Sequence, residues 1–330
     1  MKKLFVNCLS LALGMLVLFS CKDNGGKTMF TPVSSGRPYE MLVVIDKAMW
    51  ERPAGRALFN VLDTDVPGLP QPERSFRISN IGPEHFDRGM RIFRNIIDVD
   101  IQPIYTQPKL KYSRDSYASP QMIMTIQAPD EASFEEFVTK NRQVILDFFT
   151  KAEMNRQINL LKKGHSEVVS AKVGSMFGCD VWVPADMERY KQGEDFLWAS
   201  NDRNTSDVSM NFVIYSYPYT DKNTFTKDFF VHKRDSVMKI NIPGAKEGQY
   251  MATDAKYVDV KNVTVRGEYA LEARGLWYME NDMMGGPFVS HARVDRPNGR
   301  VVVVEAFVYA PKDKKRDMMR QLEAALYTLN

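Results

Sequence analysis

The sequence predicts an α+β protein in which amphipathic helices pack mainly on one face of twisted, largely antiparallel sheets. A unit made of a β-prone run, a proline turn and an amphipathic helix occurs three times, at residues 121–149, 211–240 and 301–329. Residues 268–310 contain three β-prone runs, and the last two are joined by the hairpin sequence DRPNGR. A doubly wound parallel sheet is the less favoured alternative.

Each repeated unit breaks at a proline and supplies an acidic residue close to the expected start of its helix. These pairs are Pro129 with Asp130, Pro218 with Asp221 and Pro311 with Asp313. The residue before a proline is pushed out of helical geometry, so the strand cannot run directly into the helix. A carboxylate near the helix start can accept hydrogen bonds from the free N–H groups there. We therefore expect the three acidic residues to act as helix caps.

Further elements are predicted before the first unit. The sequence MLVVID at residues 41–46 reads as a strand, and residues 54–63 read as a helix entered through Pro53. Residues 84–96 also read as a helix, although they include Gly89.

The sequence LLKKGHSE at residues 160–167 is the predicted boundary between two halves of the folded chain. Lysines followed by a glycine are typical of a helix end. The boundary would separate an N-terminal α+β half (38–164) from a C-terminal α+β half (165–330). One continuous domain of residues 38–330 is the alternative, because no low-complexity linker divides the chain.

The N-terminus resembles a bacterial lipoprotein signal peptide. Two lysines precede an apolar run at residues 4–19, which is shorter than the roughly 20 apolar residues of a spanning helix. Leu18, Ser20 and Cys21 match the lipobox, whereas Phe19 departs from the small or β-branched residue preferred at its position. An ordinary cleaved signal peptide followed by an unrelated cysteine is the alternative.

The lipobox predicts how the mature chain is held. Residues 1–20 would be removed, Cys21 would carry a diacylglyceryl group and usually a third acyl chain such as palmitate, and residues 21–37 would form a flexible tether. Two or three acyl chains hold a protein firmly at a bilayer, because each buried methylene contributes about 0.8 kcal/mol. Lys22 rather than aspartate follows the cysteine, which favours the outer membrane over the inner one.

Charge and residue usage exclude several function classes. Loss of Lys2 and Lys3 with the signal peptide lowers the formal charge from +3 to +1, so the sequence gives no reason to expect nucleic-acid binding. Cys179 would be the single unmodified cysteine, which allows no intramolecular disulfide, and it reads as a buried small side chain. Dispersed histidines and the lack of a phosphate-binding loop predict no metal and no cofactor.

One stretch, GLWYMENDMMGGPFVSHARVD, could carry chemistry. Glu280 and Asp282 lie in an acidic turn, and a glycan hydrolase needs two carboxylates with different pKa values. Trp277 or Tyr278 could then stack on a sugar ring, with Arg274 as a polar partner. The favoured alternative is a hairpin turn with solvated acids and one aromatic residue in the core.

Three tyrosines in the sequence YSYPY are spaced two residues apart. Tyr215, Tyr217 and Tyr219 would therefore project from one face of a strand and could form a binding surface for a ligand or partner. We favour the simpler interpretation, in which a helix covers this face of the sheet and the hydroxyl groups reach its rim.

Several blocks of the chain resemble a bacterial envelope lipoprotein family known as domain of unknown function 4837. The blocks are FGCDVWVPADM, DFLWASND, IYSYPYTD, KRDSVMKINIPG, RGLWYMENDMMGGPFVSHARVD and EAFVYAPKDKKRDMMRQLEA. We place this resemblance over about Tyr39 to Leu329. It implies a Gram-negative cell envelope, but no established reaction, cofactor or partner.

The leading hypothesis from the sequence is a lipid-anchored envelope protein without enzymatic activity, whose folded part binds an envelope protein or polymer. The alternatives are a cell-wall or glycan hydrolase that uses Glu280 and Asp282, and a passive structural scaffold whose aromatic residues all lie in the core.

Overall fold

The computed structural model describes residues 31–202 and 207–330. The predicted signal peptide (residues 1–20) and Cys21 lie outside these ranges. The described residues form two β-sheets with helices packed on them, so the predicted α+β class is confirmed. No helix within the described ranges is both long enough and apolar enough to span a bilayer.

The first sheet lies in the N-terminal part and is mixed. Its strands are β1 (Glu40–Val44), β2 (Arg77–Ile81), β3 (Asn95–Ile101), β4 (Lys109–Arg114) and β5 (Met122–Ala128), in the order β2-β1-β3-β5-β4. The accompanying helices are α1 (Lys47–Trp50), α2 (Pro53–Leu62), α3 (Arg88–Arg91), α4 (Glu131–Lys140) and α5 (Arg142–Lys163). Strands β2, β1, β3 and β5 are mutually parallel, and only β4 is antiparallel. Helices α1 and α2 make the parallel β1–β2 pair possible, because a parallel pair needs a long crossover.

The second sheet is antiparallel throughout. Its strands are β6 (Arg189–Gly193), β7 (Phe196–Ser200), β8 (Ser209–Pro218), β9 (Met251–Val265), β10 (Glu268–Met279), β11 (Gly285–Asp295) and β12 (Arg300–Tyr309), in the order β6-β7-β8-β12-β11-β10-β9. Its helices are α6 (Glu167–Phe177), α7 (Lys227–Asn241) and α8 (Arg316–Leu326). The predicted hairpins in the C-terminal part are therefore present, with the largely antiparallel character concentrated in this sheet.

Helices cover both faces of the second sheet. One face packs against α6, α8 and the end of α5, for example through Phe177 and Leu322. The other face packs against α7 through Phe230 and Met238.

The long helix α5 is shared between the two parts of the molecule. Its first turns bury Ile145, Leu146 and Phe149 in the core of the first sheet. Its later turns bury Met154 and Leu161 in the core of the second sheet. One helix thus contributes apolar side chains to both cores.

The three proline units differ in how their helices begin. Asp130 caps α4, because its side chain accepts a hydrogen bond from the N–H of Ser133. Asp221 caps a short 3-10 turn, and Thr226 then caps α7. Asp313 does not cap α8, which begins only at Arg316.

The cap of α8 comes from a distant part of the chain. The buried carboxylate of Glu73 accepts hydrogen bonds from the N–H groups of Lys315 (2.7 Å) and Arg316 (3.1 Å). Local sequence could not indicate this cap, because its acceptor lies 242 residues before Lys315. The contact ties the N-terminal part to the last helix.

The predicted helix at residues 84–96 is wrong for most of its length. Pro83–His85 form a 3-10 turn, Asp87 caps the single-turn helix α3, and the chain enters β3 at Asn95. Ile96 and Ile97 are fully buried between neighbouring strands. Tertiary packing of these residues in the sheet outweighs their position in an apparent helical pattern.

Candidate functional site

The consecutive aromatic residues of β10 face opposite sides of the second sheet. Trp277 is buried and packs edge-on against Phe307, with 5.4 Å between ring centroids. Tyr278 is 40% exposed. Trp277 is therefore part of the core and offers no free ring face to a sugar.

The two acidic residues that a hydrolase would use lie in the β10–β11 turn. Asp282 is exposed, and its side chain accepts hydrogen bonds from the amide of Gln249 (3.0 Å) and the N–H of Met284 (3.1 Å). Glu280 is half-buried, and its backbone N–H donates to the carbonyl of Tyr250. The Glu280 carboxylate also forms a hydrogen bond with Tyr278, so the contacts of both acids are those of a hairpin turn packed on the segment that precedes β9.

Arg274 lies elsewhere, in a buried ionic cluster between β10 and α8. Its guanidinium group pairs with Glu272 and Glu323, and His291 and Tyr327 also contact Glu272. Burial alone would raise the pKa of Glu272, but the hydrogen bond with His291 and the charge of Arg274 outweigh it and lower that pKa. The cluster holds α8 on the sheet, and Arg274 does not meet Glu280 or Asp282.

The three regularly spaced tyrosines divide into two groups. Tyr215 and Tyr217 are buried, and α7 covers them, with Phe229 packing on Tyr217 at 6.0 Å between centroids. Tyr219 lies just beyond the end of β8 and is 37% exposed. Only the last of the three could contact a ligand.

A cleft that the sequence analysis did not anticipate lies at the end of the second sheet where β8, β9 and β11 finish. It has a volume of 390 Å³ and is bordered by the end of α6, the β9–β10 turn and the β11–β12 turn. We call it the arginine cleft, after Arg266, Arg293 and Arg296, which line it. Glu268 and Asp295 line it as well.

Asp295 is already paired with an arginine beside the cleft, Arg300. Its carboxylate accepts hydrogen bonds from Arg300 Nε (2.8 Å) and from Asn298 (2.8 Å). Burial tends to raise the pKa of Asp295, but these two hydrogen bonds outweigh it and lower that pKa. Another nitrogen of the same guanidinium group, Arg300 Nη2, donates to the backbone carbonyl of Phe177 at the end of α6 (2.6 Å).

Arg293 has no such carboxylate partner. Its guanidinium donates to the backbone carbonyl of Leu329 (3.2 Å), and burial lowers its pKa. Within residues 31–202 and 207–330, neither Arg293, Arg266 nor Arg296 forms an ion pair with a carboxylate. Glu268 and Asp295 act on Arg293 only through longer-range charge interactions, and a partly desolvated guanidinium without a directly paired carboxylate favours the binding of an anion.

Backbone geometry places Arg266 at the mouth of the arginine cleft. Arg266 and Gly267 form the tight β9–β10 turn, and both have positive φ angles, 51° and 88°. Asparagine and glycine are the residues that such a turn favours. The Arg266 guanidinium lies over the ring of Trp182, 5.6 Å from its centroid.

Cys179 also lines the cleft. Burial raises the pKa of its thiol to about 11, despite the opposing charges of Arg293 and Arg300. The thiol is therefore protonated at neutral pH and is a poor nucleophile.

A second cleft of the same volume lies beside α2 and α4. Its lining contains two arginines, Arg56 and Arg142, and Arg142 is exposed to solvent, whereas the arginine cleft brings three arginines together and half-buries Arg293. We therefore take the arginine cleft as the candidate functional site. In the part of the chain that the structure describes, no group of three or more His, Cys, Asp or Glu residues could hold a metal ion.

Comparisons with known proteins connect the chain to families without an assigned function. Residues 166–328 match the family described as Domain of unknown function (DUF4837), which confirms the resemblance over that region. Residues 34–162, over which the same resemblance was expected, match a different family, Domain of unknown function (DUF8532). A comparison with curated proteins found no match.

Solved structures give only weak similarity. A structure of a mutant of the protein Mog1 has a TM-score of 0.30 and 11% identity, covering 46% of this chain and 89% of that chain. A crystal structure from Bacteroides thetaiotaomicron has a TM-score of 0.21 and 15% identity, covering 46% of this chain and 44% of that one.

Proposed function

We propose that this protein is a lipid-anchored binding module of a Gram-negative cell envelope, held at the outer membrane through Cys21, and that it binds an anionic envelope protein or polymer in the arginine cleft. The anchoring part rests on the apolar run at residues 4–19, the lipobox residues that follow it and the polar tether. The binding part rests on the cleft. The proposal assigns no catalytic step.

The single observation that carries the binding proposal is the state of Arg293. Guanidinium groups that are withdrawn from water are normally paired with carboxylates, because an unpaired buried charge is costly. Arg293 is half-buried and has one backbone carbonyl as its hydrogen-bond acceptor. Arg266 and Arg296 add two more positive charges to the same cleft, so its three arginines outnumber its two side-chain carboxylates, Glu268 and Asp295. A carboxylate or phosphate placed there would receive charge-assisted hydrogen bonds in fork geometry.

Replacing Cys21 by serine should abolish membrane association in the native cell. Without the sulfur no thioether can form, so the acyl chains that hold the protein at the bilayer are missing. The measurement is fractionation of the envelope, together with mass spectrometry of the N-terminal peptide. A Cys179→Ser variant is the matched control and should remain in the membrane fraction. Recovery of native protein with an unmodified Cys21 thiol would contradict the anchoring proposal.

Replacing Arg293 by glutamine should weaken binding of a compact polyanion at least roughly tenfold, which corresponds to a lost charge-assisted hydrogen bond. The probe is tripolyphosphate, titrated calorimetrically into the full-length protein in detergent. Arg293→Lys should bind with intermediate affinity, because the charge remains while the fork geometry is lost.

The matched control for this titration is Arg88→Gln. Arg88 is exposed on α3, far from the cleft in the fold, and forms no ion pair among the described residues. Its variant should bind tripolyphosphate like the unmodified protein. Equal affinity of the Arg293→Gln and Arg88→Gln variants would show that the cleft does not bind anions.

A further inference from the structure

An exposed group of aromatic side chains lies close to the arginine cleft. Tyr219, Phe225 and Tyr269 form this tyrosine patch, with ring centroids 6.3 Å apart for Tyr219 and Phe225 and 5.3 Å apart for Phe225 and Tyr269. Tyr219 is 37% exposed and Tyr269 is 46% exposed. The Tyr269 hydroxyl donates to Asn262 Oδ1 (3.0 Å), which fixes the orientation of the ring.

The tyrosine patch and the arginine cleft share one end of the second sheet. Tyr269 follows Glu268, a cleft residue, and lies three positions after Arg266. The backbone N–H of Tyr219 donates to the carbonyl of Gly299, in the same β11–β12 turn that carries Arg296 (3.0 Å). Along β10, residues alternate between the two faces, so Glu268 points to the cleft side and Tyr269 to the α7 side. The arginine cleft and the tyrosine patch thus face opposite sides of the sheet. An extended ligand that contacts both would pass over the β9–β10 and β11–β12 turns at the end of the sheet.

The exposed apolar surface at this end is aromatic and carries hydroxyl groups. Of the large apolar side chains that are exposed in the described residues, those adjoining the cleft are Tyr219 and Tyr269, and no exposed aliphatic side chain accompanies them. Tyrosine and arginine are also enriched at protein–protein interfaces, so an acidic protein segment is the competing occupant that the test must separate. An aromatic ring with a polar tip suits a ligand that presents both C–H faces and hydroxyl groups, as sugar rings do.

We propose that the ligand of the cleft is an acidic glycan, whose carboxylate or phosphate groups bind in the arginine cleft while neighbouring sugar rings pack on Tyr269 and Tyr219. This inference rests on the proposed function, because it names the chemical class of the anion that the cleft binds. Arg293 supplies the charge recognition, and the tyrosine patch distinguishes a glycan from a peptide of similar charge.

The test is calorimetric titration of the full-length protein in detergent with four probes. A galacturonic acid hexamer and a phosphorylated glucose hexamer represent the two sources of negative charge. The methyl-esterified galacturonic acid hexamer removes the charge, and a hexaglutamate peptide keeps charge without sugar rings. At least one of the acidic glycans should bind at least roughly tenfold more tightly than the neutral hexamer and the peptide. The tighter of the two identifies the carboxylate or the phosphate as the natural anion.

Variants then separate the two parts of the site. Tyr269→Ala should weaken binding of the acidic glycan at least roughly fivefold while leaving tripolyphosphate binding unchanged, because each lost aromatic contact contributes about 1 kcal/mol. Arg293→Gln should weaken both. Tyr190→Ala is the matched control: Tyr190 is similarly exposed (42%), and its strand partner Ala199 pairs with Phe212, near the opposite end of β8.

Three outcomes would count against the inference in different ways. If hexaglutamate binds as tightly as the acidic glycans and depends on Arg293, the cleft binds an acidic protein segment, and the proposed function stands without the glycan. If neither the glycans, the peptide nor tripolyphosphate binds, the proposed function fails together with the inference. An effect of Tyr190→Ala equal to that of Tyr269→Ala would also remove the assignment of the tyrosine patch.

Discussion

Replacing Glu305 by alanine should lower the free energy of unfolding by about 3–5 kcal/mol, because it leaves a buried guanidinium without its counter-ion. Arg234 and Glu305 are both fully buried. Arg234 donates to the Glu305 carboxylate from Nε (2.9 Å) and Nη2 (2.7 Å), and Ser290 donates to the same carboxylate (2.6 Å). The third nitrogen of Arg234, Nη1, donates to the hydroxyl of Thr253 (2.8 Å). Among the described residues Glu305 is the one carboxylate that pairs with Arg234, and its removal therefore leaves the guanidinium without a counter-ion.

A double substitution distinguishes loss of the ion pair from loss of packing. Arg234→Met combined with Glu305→Leu removes both charges and keeps most of the side-chain volume, so it should recover most of the stability that Glu305→Ala loses. Urea unfolding followed by circular dichroism gives the three free energies. If the double variant is as unstable as Glu305→Ala, the cost arises from packing, and the electrostatic explanation is wrong.

Replacing Gly286 by alanine should be of similar severity, about 3 kcal/mol or more, because overpacking against the backbone cannot be relieved by a rotamer change. A Cβ atom at this position would lie 2.1 Å from the carbonyl oxygen of Val308, on the neighbouring strand β12. It would also lie 3.1 Å from Trp277 Nε1. The β11–β12 ladder would have to separate locally. The measurement is the midpoint of thermal unfolding.

The matched control for this substitution is Gly174→Ala. Gly174 lies in the interior of α6, is exposed, and a Cβ atom there would meet its nearest neighbour at 3.9 Å. Alanine should therefore stabilise the helix by about 0.5–1 kcal/mol. If Gly286→Ala lowered the free energy of unfolding by less than about 1 kcal/mol, β11 and β12 would be able to adjust to the extra methyl group.

Local patterns predicted β8, β10, β11 and β12 of the second sheet, but not β6, β7 or β9. The β-prone runs lie at β10, β11 and β12, because neighbouring antiparallel strands need only short turns and these have clear residue signals. The helix entered through Pro53 is confirmed for the same reason, since a proline at the first helical position is a local signal. The parallel pairing of strands in the first sheet has no comparable signal in the sequence, because strands that are joined by long crossovers are not connected by a short turn with characteristic residues.

The candidate site was harder to predict than the fold. Arg266 lies in the β9–β10 turn, Arg293 near the end of β11 and Arg296 in the β11–β12 turn, and only the pairing of β10 with β11 brings the three to one cleft. The DRPNGR sequence predicts a hairpin, which the structure confirms, but a turn signal does not indicate which residues the arginines of the turn contact. An arginine at the first position of a two-residue hairpin turn, as in VRGE, was the one available signal, because that position usually carries asparagine or glycine.

The sharing of α5 also limits how the chain can be divided. The two family matches meet near residue 164, yet Met154 and Leu161 pack in the core beyond that point. A fragment that stops at residue 162 would expose the apolar side chains of Met154 and Leu161 to water. A fragment that starts after that residue would have a cavity in its core where those two side chains normally pack. We expect either piece expressed alone to aggregate, and the two expressed together to reassemble by fragment complementation.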